Sequence, residues 1–580
     1  MSIAKSSTTR WLTLLCGLVL SAFVCGLYLL NDAWAYNHAF SLAGIYTSYF
    51  LDWPQYVRGA HMSYQSSRLL WLTPGWLAYH LLPPYGANLA MHVYVVAGTA
   101  VPSWLTLRRL GAGKAGATIG VMSLLANPFF LQAAGWDYVS GAGIIWIAWS
   151  LYFLCVAATA ARRDGWLFGA GASMIATLLS YLMVAAFAPA YAWIYLRQRG
   201  WPETRAAIRE LAWLGLGGVA CIGTLGLINV KLGGTFWFFL AQFQVADSKM
   251  ETSENIHLAP EAWLPNAVWL ILPCLCLVAA LLLMLPSVRR RWGLSRNATA
   301  AGGALLLAFA ALAALDFSGA WVALQYHAGI HACYLLPFAV LPLGLVIDRH
   351  LAHLQPRAQF GWVLAAAILL LAAYYPPIQT RLSSGPMLWP GAIVCVALVA
   401  AFLAATYRPT SFGLIIILLG LGWLNPRTIP WTTWQPMSPV PSRDQFLLTF
   451  AVLDKMASWD FDNQLMYWFD DHPKGHDDLF LEYYLAYIKN TGHRNGTVLD
   501  TFPRFPGLAP KETTPFPVRR SLNLHSGERA VLLGDPVKLP DARLALAKWN
   551  LDLRVLDQEV VRQGQASVPM TVLEIVPKRA

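Results

Sequence analysis

Long apolar runs dominate the first 424 residues of the chain, separated by short segments rich in Arg, Gly and Pro. A helix needs about 20 mainly apolar residues to cross the hydrocarbon core of a bilayer. On that criterion spans are predicted near residues 11–30, 88–107, 115–133, 139–160, 166–181, 183–197, 211–230, 263–286, 299–316, 332–348, 360–375, 387–406 and 411–424. Thirteen such runs predict a mainly α, polytopic membrane helical bundle. The first run follows Lys5 and Arg10, exceeds the length of a signal-peptide core and lacks a small-residue cleavage site after it, so it reads as a retained signal anchor.

The pattern changes in two places. Residues 31–87 mix polar groups with aromatics around one apolar stretch, Leu69–Leu82, which has 14 residues and contains Pro74 and Gly75. That stretch is too short and too broken to span comfortably, so this first exterior loop is expected to hold helices lying along the membrane interface; the alternative, a short transmembrane helix, would invert every later loop and spoil the charge count. The second change comes after residue 424. A Pro/Trp-rich linker over residues 425–442 leads into a hydrophilic part, residues 443–580, with helices predicted at Arg443–Ser458, Leu479–Asn490 and Asp541–Trp549. Strands are predicted there at Gln464–Phe469, Arg529–Leu533, Leu551–Leu556 and Met570–Val576, enough for one small α/β domain. It carries no Gly-rich phosphate loop and no nucleophile elbow, and no 20- to 50-residue repeat runs through the chain.

Composition sharpens this picture. Charged residues make up 12% of the chain and the mean hydropathy is +0.48, whereas soluble domains carry about 25% charged residues, so an ordinary soluble enzyme and a disordered chain are both excluded. The net charge of +11 sits wholly in the apolar part, since residues 1–424 hold 23 Lys and Arg against 12 Asp and Glu while the remainder holds 18 of each. A nucleic-acid footprint is therefore not indicated. With the N-terminus in the cytoplasm, 18 of those 23 basic residues fall inside, and only Arg58, Arg68, Lys231, Lys249 and Arg381 fall outside. Thirteen spans then put the C-terminal domain outside. All eight Cys lie in apolar runs, so neither a disulfide framework nor a zinc site is written in the chain.

Candidate chemistry lies among the charges that break this pattern. Asp32, Asp52 and Asp137 stand near apolar boundaries on the exterior side. Each has a plain structural role open to it, as a polar helix end or N-cap, and Asp52 precedes Pro54 as a helix start would. The functional reading is a carboxylate that accepts a proton from an acceptor hydroxyl. Arg58 and Arg68 are exterior cations suited to an anionic head group, or to snorkelling at lipid head groups. A second polar group, Gln325, Tyr326, His327, His331 and Tyr334, marks the entry to the tenth span, where its His side chains suit either a phosphate or an ordinary interface position.

Asp52 with Tyr56, Ser67-Arg68 with Trp71 and Pro74-Gly75, Arg108-Arg109-Leu110-Gly111, and Trp136-Asp137-Tyr138 together resemble the GT-C-fold membrane glycosyltransferases. More narrowly the chain is similar to the bacterial branch of the protein mannosyltransferase and aminoarabinose transferase superfamily. That resemblance implies transfer of a hexose or pentose from a polyprenyl phosphate to an exterior glycan, lipid or protein, with inversion. It implies Asp52 as general base, Asp137 orienting the acceptor or a metal ion, and Arg68 with His327 or His331 holding the carrier phosphate. Tyr56, Arg58, Tyr138, Gln325 and Tyr326 join the expected substrate contacts. Many relatives carry an acidic pair where this chain has Asp52-Trp53, and Asp32 with Tyr36 offers a second Asp-x-x-x-Tyr, so the base stands between Asp52 and Asp32. Metal dependence varies in the superfamily and no cofactor is expected beyond the lipid-linked donor. Two other classes stay open: a transporter or flippase, which would call for inverted repeats and broken mid-membrane helices, and an inactive scaffold with an exterior binding domain.

Overall fold

The computed structural model describes residues 2–30, 46–54 except 48 and 52, 65–135, 140–243, 271–318 except 294, 331–374 except 332 and 373, 443–458, 465–469, 499–502, 529–533, 539–547 and 550–578. The expected spans at 387–406 and 411–424, the linker 425–442 and the expected helix Leu479–Asn490 lie outside them.

Helices α1 (Ser2–Leu30), α2 (Leu69–Leu81), α3 (Pro84–Leu110), α4 (Lys114–Leu125), α5 (Pro128–Gly135), α6 (Ser140–Thr159), α7 (Asp164–Ser180), α8 (Ala188–Arg199) and α9 (Thr204–Lys231) follow in order. Then come α10 (Ile271–Met284), α11 (Pro286–Trp292), α12 (Arg296–Phe317), α13 (Leu336–Leu351) and α14 (Pro356–Ala372). Among the described residues six helices are long and apolar enough to cross a membrane, and seven if the bent pair α4–α5 counts as one span, so the expected thirteen is not reached there.

Two of the differences have local causes. The predicted run 115–133 bends by 67° between α4 and α5. Pro128 has no N–H to continue the ladder, and the Asn127 side chain accepts the Phe129 amide at 2.9 Å, capping a new helix at the break. The predicted run 183–197 is a 3-10 turn, Leu182–Phe187, followed by the 12-residue α8. At 1.5 Å per residue a helix of that length covers only about 18 Å, well short of the bilayer core.

One end of the bundle gathers the basic residues. Glu210 of α9 accepts from Arg163 at 3.4 Å and from Arg199 at 3.3 Å, Arg209 pairs with Asp164, Lys114 donates to Thr13 of α1, and Arg197 donates to Thr299 at 3.2 Å. These contacts join the start of α4 to α1, and the starts of α7, α9 and α12 to the end of α8. Glycines set the closest helix contacts. A Cβ on Gly171 would overlap the Leu214 carbonyl and one on Gly217 the Phe168 carbonyl, so α7 and α9 meet backbone to backbone.

The C-terminal part is an α/β unit. Helix α15 (Arg443–Ser458) and α16 (Leu539–Ala547) accompany a five-stranded sheet of order β2-β1-β3-β5-β4, built from β1 (Leu465–Phe469), β2 (Leu499–Phe502), β3 (Arg529–Leu533), β4 (Leu551–Gln563) and β5 (Ala566–Pro577). Strand β1 runs parallel to β2 and β3, while β5 pairs antiparallel with β3 and β4. The turn at Gly564, with φ of 58°, closes the long β4–β5 hairpin. Helix α15 grips that hairpin: Asp444 accepts the Gln565 amide at 2.9 Å and Lys455 pairs with Glu559 at 2.9 Å.

Candidate functional site

The end of the bundle opposite the basic cluster holds a buried polar group built from five elements. Helix α7 stops at Ser180 because Tyr181 is extended, with φ −158° and ψ 121°, which leaves the last carbonyls outside the helical ladder and in need of donors. Arg68, at the N-cap of α2, supplies them: its Nη1 donates to Leu179 O at 3.1 Å, to Ser180 O and to Gln242 Oε1 at 3.1 Å. Gln242 returns its own Nε2 to Leu179 O at 2.8 Å. A cation at a helix C-terminus also complements the helix dipole. Arg68 is 1% exposed, so this cation is a buried tie rather than a snorkelling side chain.

Tyr181 carries the group onward. Its ring lies 5.4 Å from the Arg68 guanidinium carbon, and its hydroxyl is 3.3 Å from His331 Nε2. The His331 ring stacks on Tyr334 at 6.1 Å with 12° between planes, and the Tyr334 hydroxyl donates to Ser140 Oγ at 3.4 Å. Gly143 makes room for that ring, since a Cβ there would press on it. Burial pushes the His331 imidazole down to about 3, so it is neutral at ordinary pH. Its Nδ1 is buried without a hydrogen-bond partner among the described residues.

Of the residues expected from the sequence, Arg68, His331 and Tyr334 are described, and Tyr181 brings them into one cluster. Asp32, Asp52, Asp137, Tyr56, Arg58, Tyr138, Gln325, Tyr326 and His327 lie outside the described residues. Chain distance still bears on them. Ser140 comes three residues after Asp137, and His331 four after His327. Of the described residues around Asp52, Phe50 and Trp53 are buried, at 0% and 1% exposure, whereas Leu51 between them is 37% exposed. Both pack on α2: Phe50 lies 5.5 Å from the Tyr79 ring and 6.1 Å from Trp71, and Trp53 lies 6.2 Å from Trp76. A Cβ on Gly75 would overlap the Phe50 ring, so this glycine is what lets the segment lie against α2. Among the described residues no three His, Cys, Asp or Glu side chains come together as a metal site.

Tyr181 and Gln242 were not expected. Tyr181 closes an apolar run, and Gln242 is a lone amide in the aromatic stretch Phe236–Phe243. An uncharged polar residue in such a setting needs a buried partner, which is the signal that was available.

No family model and no curated protein matches the chain. Solved structures do. ArnT of Cupriavidus metallidurans, crystallised with undecaprenyl phosphate, superposes with a TM-score of 0.51 at 14% identity over 97% of this chain and 98% of that one. The fold is the GT-C fold. The expectation from the sequence, which concerned residues 1–424, holds at that level, and the likeness covers 97% of the chain. An oligosaccharyltransferase of Archaeoglobus fulgidus matches more loosely, with a TM-score of 0.41 at 14% identity over 81% of this chain and 61% of that one.

Proposed function

We propose that this GT-C chain is a membrane glycosyltransferase that takes a sugar from a polyprenyl phosphate and passes it to an exterior acceptor with inversion. The observation that carries the reading is the fold likeness over nearly the full length to ArnT, whose structure holds undecaprenyl phosphate. The buried polar cluster supports it, because the chain enters or leaves that cluster within a few residues of Asp137 and His327.

In the proposed step the acceptor hydroxyl oxygen attacks the anomeric carbon while the bond from that carbon to the phosphate oxygen breaks. The hydroxyl proton passes to a carboxylate, Asp52 in preference to Asp32, because Arg58 and Arg68 follow Asp52 closely. The polyprenyl phosphate leaves with the bonding electrons, already a fair leaving group, so the protein has to supply a base, phosphate stabilisation and close positioning. Asp137 orients the acceptor. Arg58 and His327 take the phosphate, Arg68 adds its charge from the end of α7, and the neutral His331 offers a hydrogen bond rather than charge. Tyr56, Tyr138, Gln325 and Tyr326 line the sugar and acceptor.

The test is transfer of labelled sugar from a panel of undecaprenyl-phosphate hexoses and pentoses into glycan, lipid and protein fractions of membranes containing the wild type, Asp52→Asn or Asp32→Asn. Transfer that is lost in Asp52→Asn at unchanged protein abundance supports the assignment. Transfer retained in both variants removes the general base, and no transfer by the wild type from any donor removes the reading.

A further inference from the structure

Helix α15 of the C-terminal domain does more than grip its own hairpin. Its Phe446 and Phe450, 0% and 6% exposed, turn toward the membrane part and pack with Tyr28 of α1, Tyr79 of α2 and Tyr85 of α3. Arg443 adds a cation over the Tyr85 ring at 4.7 Å. The contact continues inward as a ladder of rings. Phe446 is 5.1 Å from Phe450, Phe450 is 6.2 Å from Tyr79, and Tyr79 is 5.5 Å from Phe50. Phe50 stands two residues before Asp52, and Trp53, on the other side, is held by Trp76 on the same helix α2.

We infer that the exterior domain positions the segment carrying the candidate base, through the ladder Phe450–Tyr79–Phe50. Three features make this a path rather than a chance contact. Tyr79 is shared by both ring pairs, so a shift of α15 moves the surface against which Phe50 rests. Gly75 lacks the Cβ that would overlap the Phe50 ring and hold it away from α2. The outer end is tied too, because α15 holds the β4–β5 hairpin through Asp444 and Lys455. Phe446, Phe450 and Tyr79 are positioning residues: they touch neither donor nor acceptor, and they act by fixing the backbone on both sides of residue 52. The catalytic consequence rests on the glycosyltransferase reading, whereas the mechanical coupling does not.

The experiment keeps these apart by using the full chain in lipid nanodiscs and two readouts. Amide hydrogen exchange of the peptide over residues 46–54 should quicken in Phe450→Ala and in the double variant Phe446→Ala/Phe450→Ala, with α6 unchanged. Phe450→Tyr, which keeps a ring, should restore protection. With whichever undecaprenyl-phosphate sugar the wild type uses, kcat should fall about tenfold or more while KM stays, since misplacing a reacting group by an ångström costs on that scale. Unchanged exchange at residues 46–54 overturns the inference outright. Faster exchange with unchanged kcat overturns the positioning role and leaves only a docking contact. A wild type without transfer strikes the functional reading, and the exchange arm then decides the coupling by itself. Where Phe450→Ala fails to fold, Phe450→Leu, which shortens the ladder but fills the space, carries the same comparison.

Discussion

Tyr181 and His331, 150 positions apart in the chain, meet through a hydroxyl–imidazole contact of 3.3 Å, with their ring centroids 4.7 Å apart. The contact joins the extended residue that ends α7 to the segment just before α13. Arg68 lies over the other partner of the pair, so three segments distant in sequence converge on one phenol ring.

This contact makes a pH prediction. The His331 imidazole is held down to about 3 by burial between Tyr181 and Tyr334, with Arg68 behind Tyr181. An unfolded chain takes up that proton near pH 6.5, so between about pH 6.5 and 3 the unfolded state binds more protons and stability falls as pH falls. Above pH 6.5 the contribution is complete and flat. The thermal midpoint in detergent should therefore drop on acidification through this window, and His331→Gln, which cannot charge, should flatten part of the slope. An identical slope in the variant refutes the assignment.

Gly75 gives a second. Since a Cβ there overlaps the Phe50 ring, Gly75→Ala forces Phe50 or α2 to move despite the better helix propensity of Ala. Overpacking of this kind costs about 1–3 kcal/mol. A lower thermal midpoint together with reduced sugar transfer is expected. A stabilised, fully active Gly75→Ala would show that the segment before Asp52 has room to spare.

How much of this was legible in the chain depends on what each feature needed. Apolar length alone located α1, α3, α6, α9, α12 and α13, and the hydrophobic period of the C-terminal part set Arg443–Ser458 and Arg529–Leu533 at the bounds the structure has. Strand β4 runs to Gln563 instead of the expected Leu556, because a bulge between Val555 and Asp557 breaks the alternation that marks a strand. Strand β2, with four residues, is too short to show a period. Arg68 stood out as a cation on the wrong side of the charge rule, yet its acceptors did not. The Leu179 and Ser180 carbonyls become acceptors only because α7 ends there, and the end of an apolar run does not say where the backbone turns. Gln242 and Tyr181 are uncharged, so the charge pattern does not single them out.

Arg68 supplies a third prediction. Arg68→Leu leaves the Ser180 carbonyl and the Gln242 amide oxygen without this donor in a buried place, and each unsatisfied buried acceptor costs about 1–3 kcal/mol. Arg68→Lys keeps the charge and loses the planar geometry, so it should fall between Leu and the wild type. Detergent melting curves rank the three. Equal midpoints would mean that the tie to α7 contributes nothing to stability.

The α7–α9 contact bears on the same site, since α7 delivers Leu179 and Ser180 to Arg68. Gly217 lies where a Cβ would overlap the Phe168 carbonyl, and backbone yields less readily than a side chain, so Gly217→Val has to push the two helices apart. Gly215, two positions earlier on α9, has nothing within 4 Å of where its Cβ would be. It is the matched control: Gly215→Ala in a helix interior should stabilise by up to about 1 kcal/mol. The expected pattern is a depressed melting temperature and faster amide exchange at the end of α7 in Gly217→Val, and neither change in Gly215→Ala. If Gly217→Val melts with the wild type, the helices are not in backbone contact, and the anchorage of Arg68 at the end of α7 loses its support from α9.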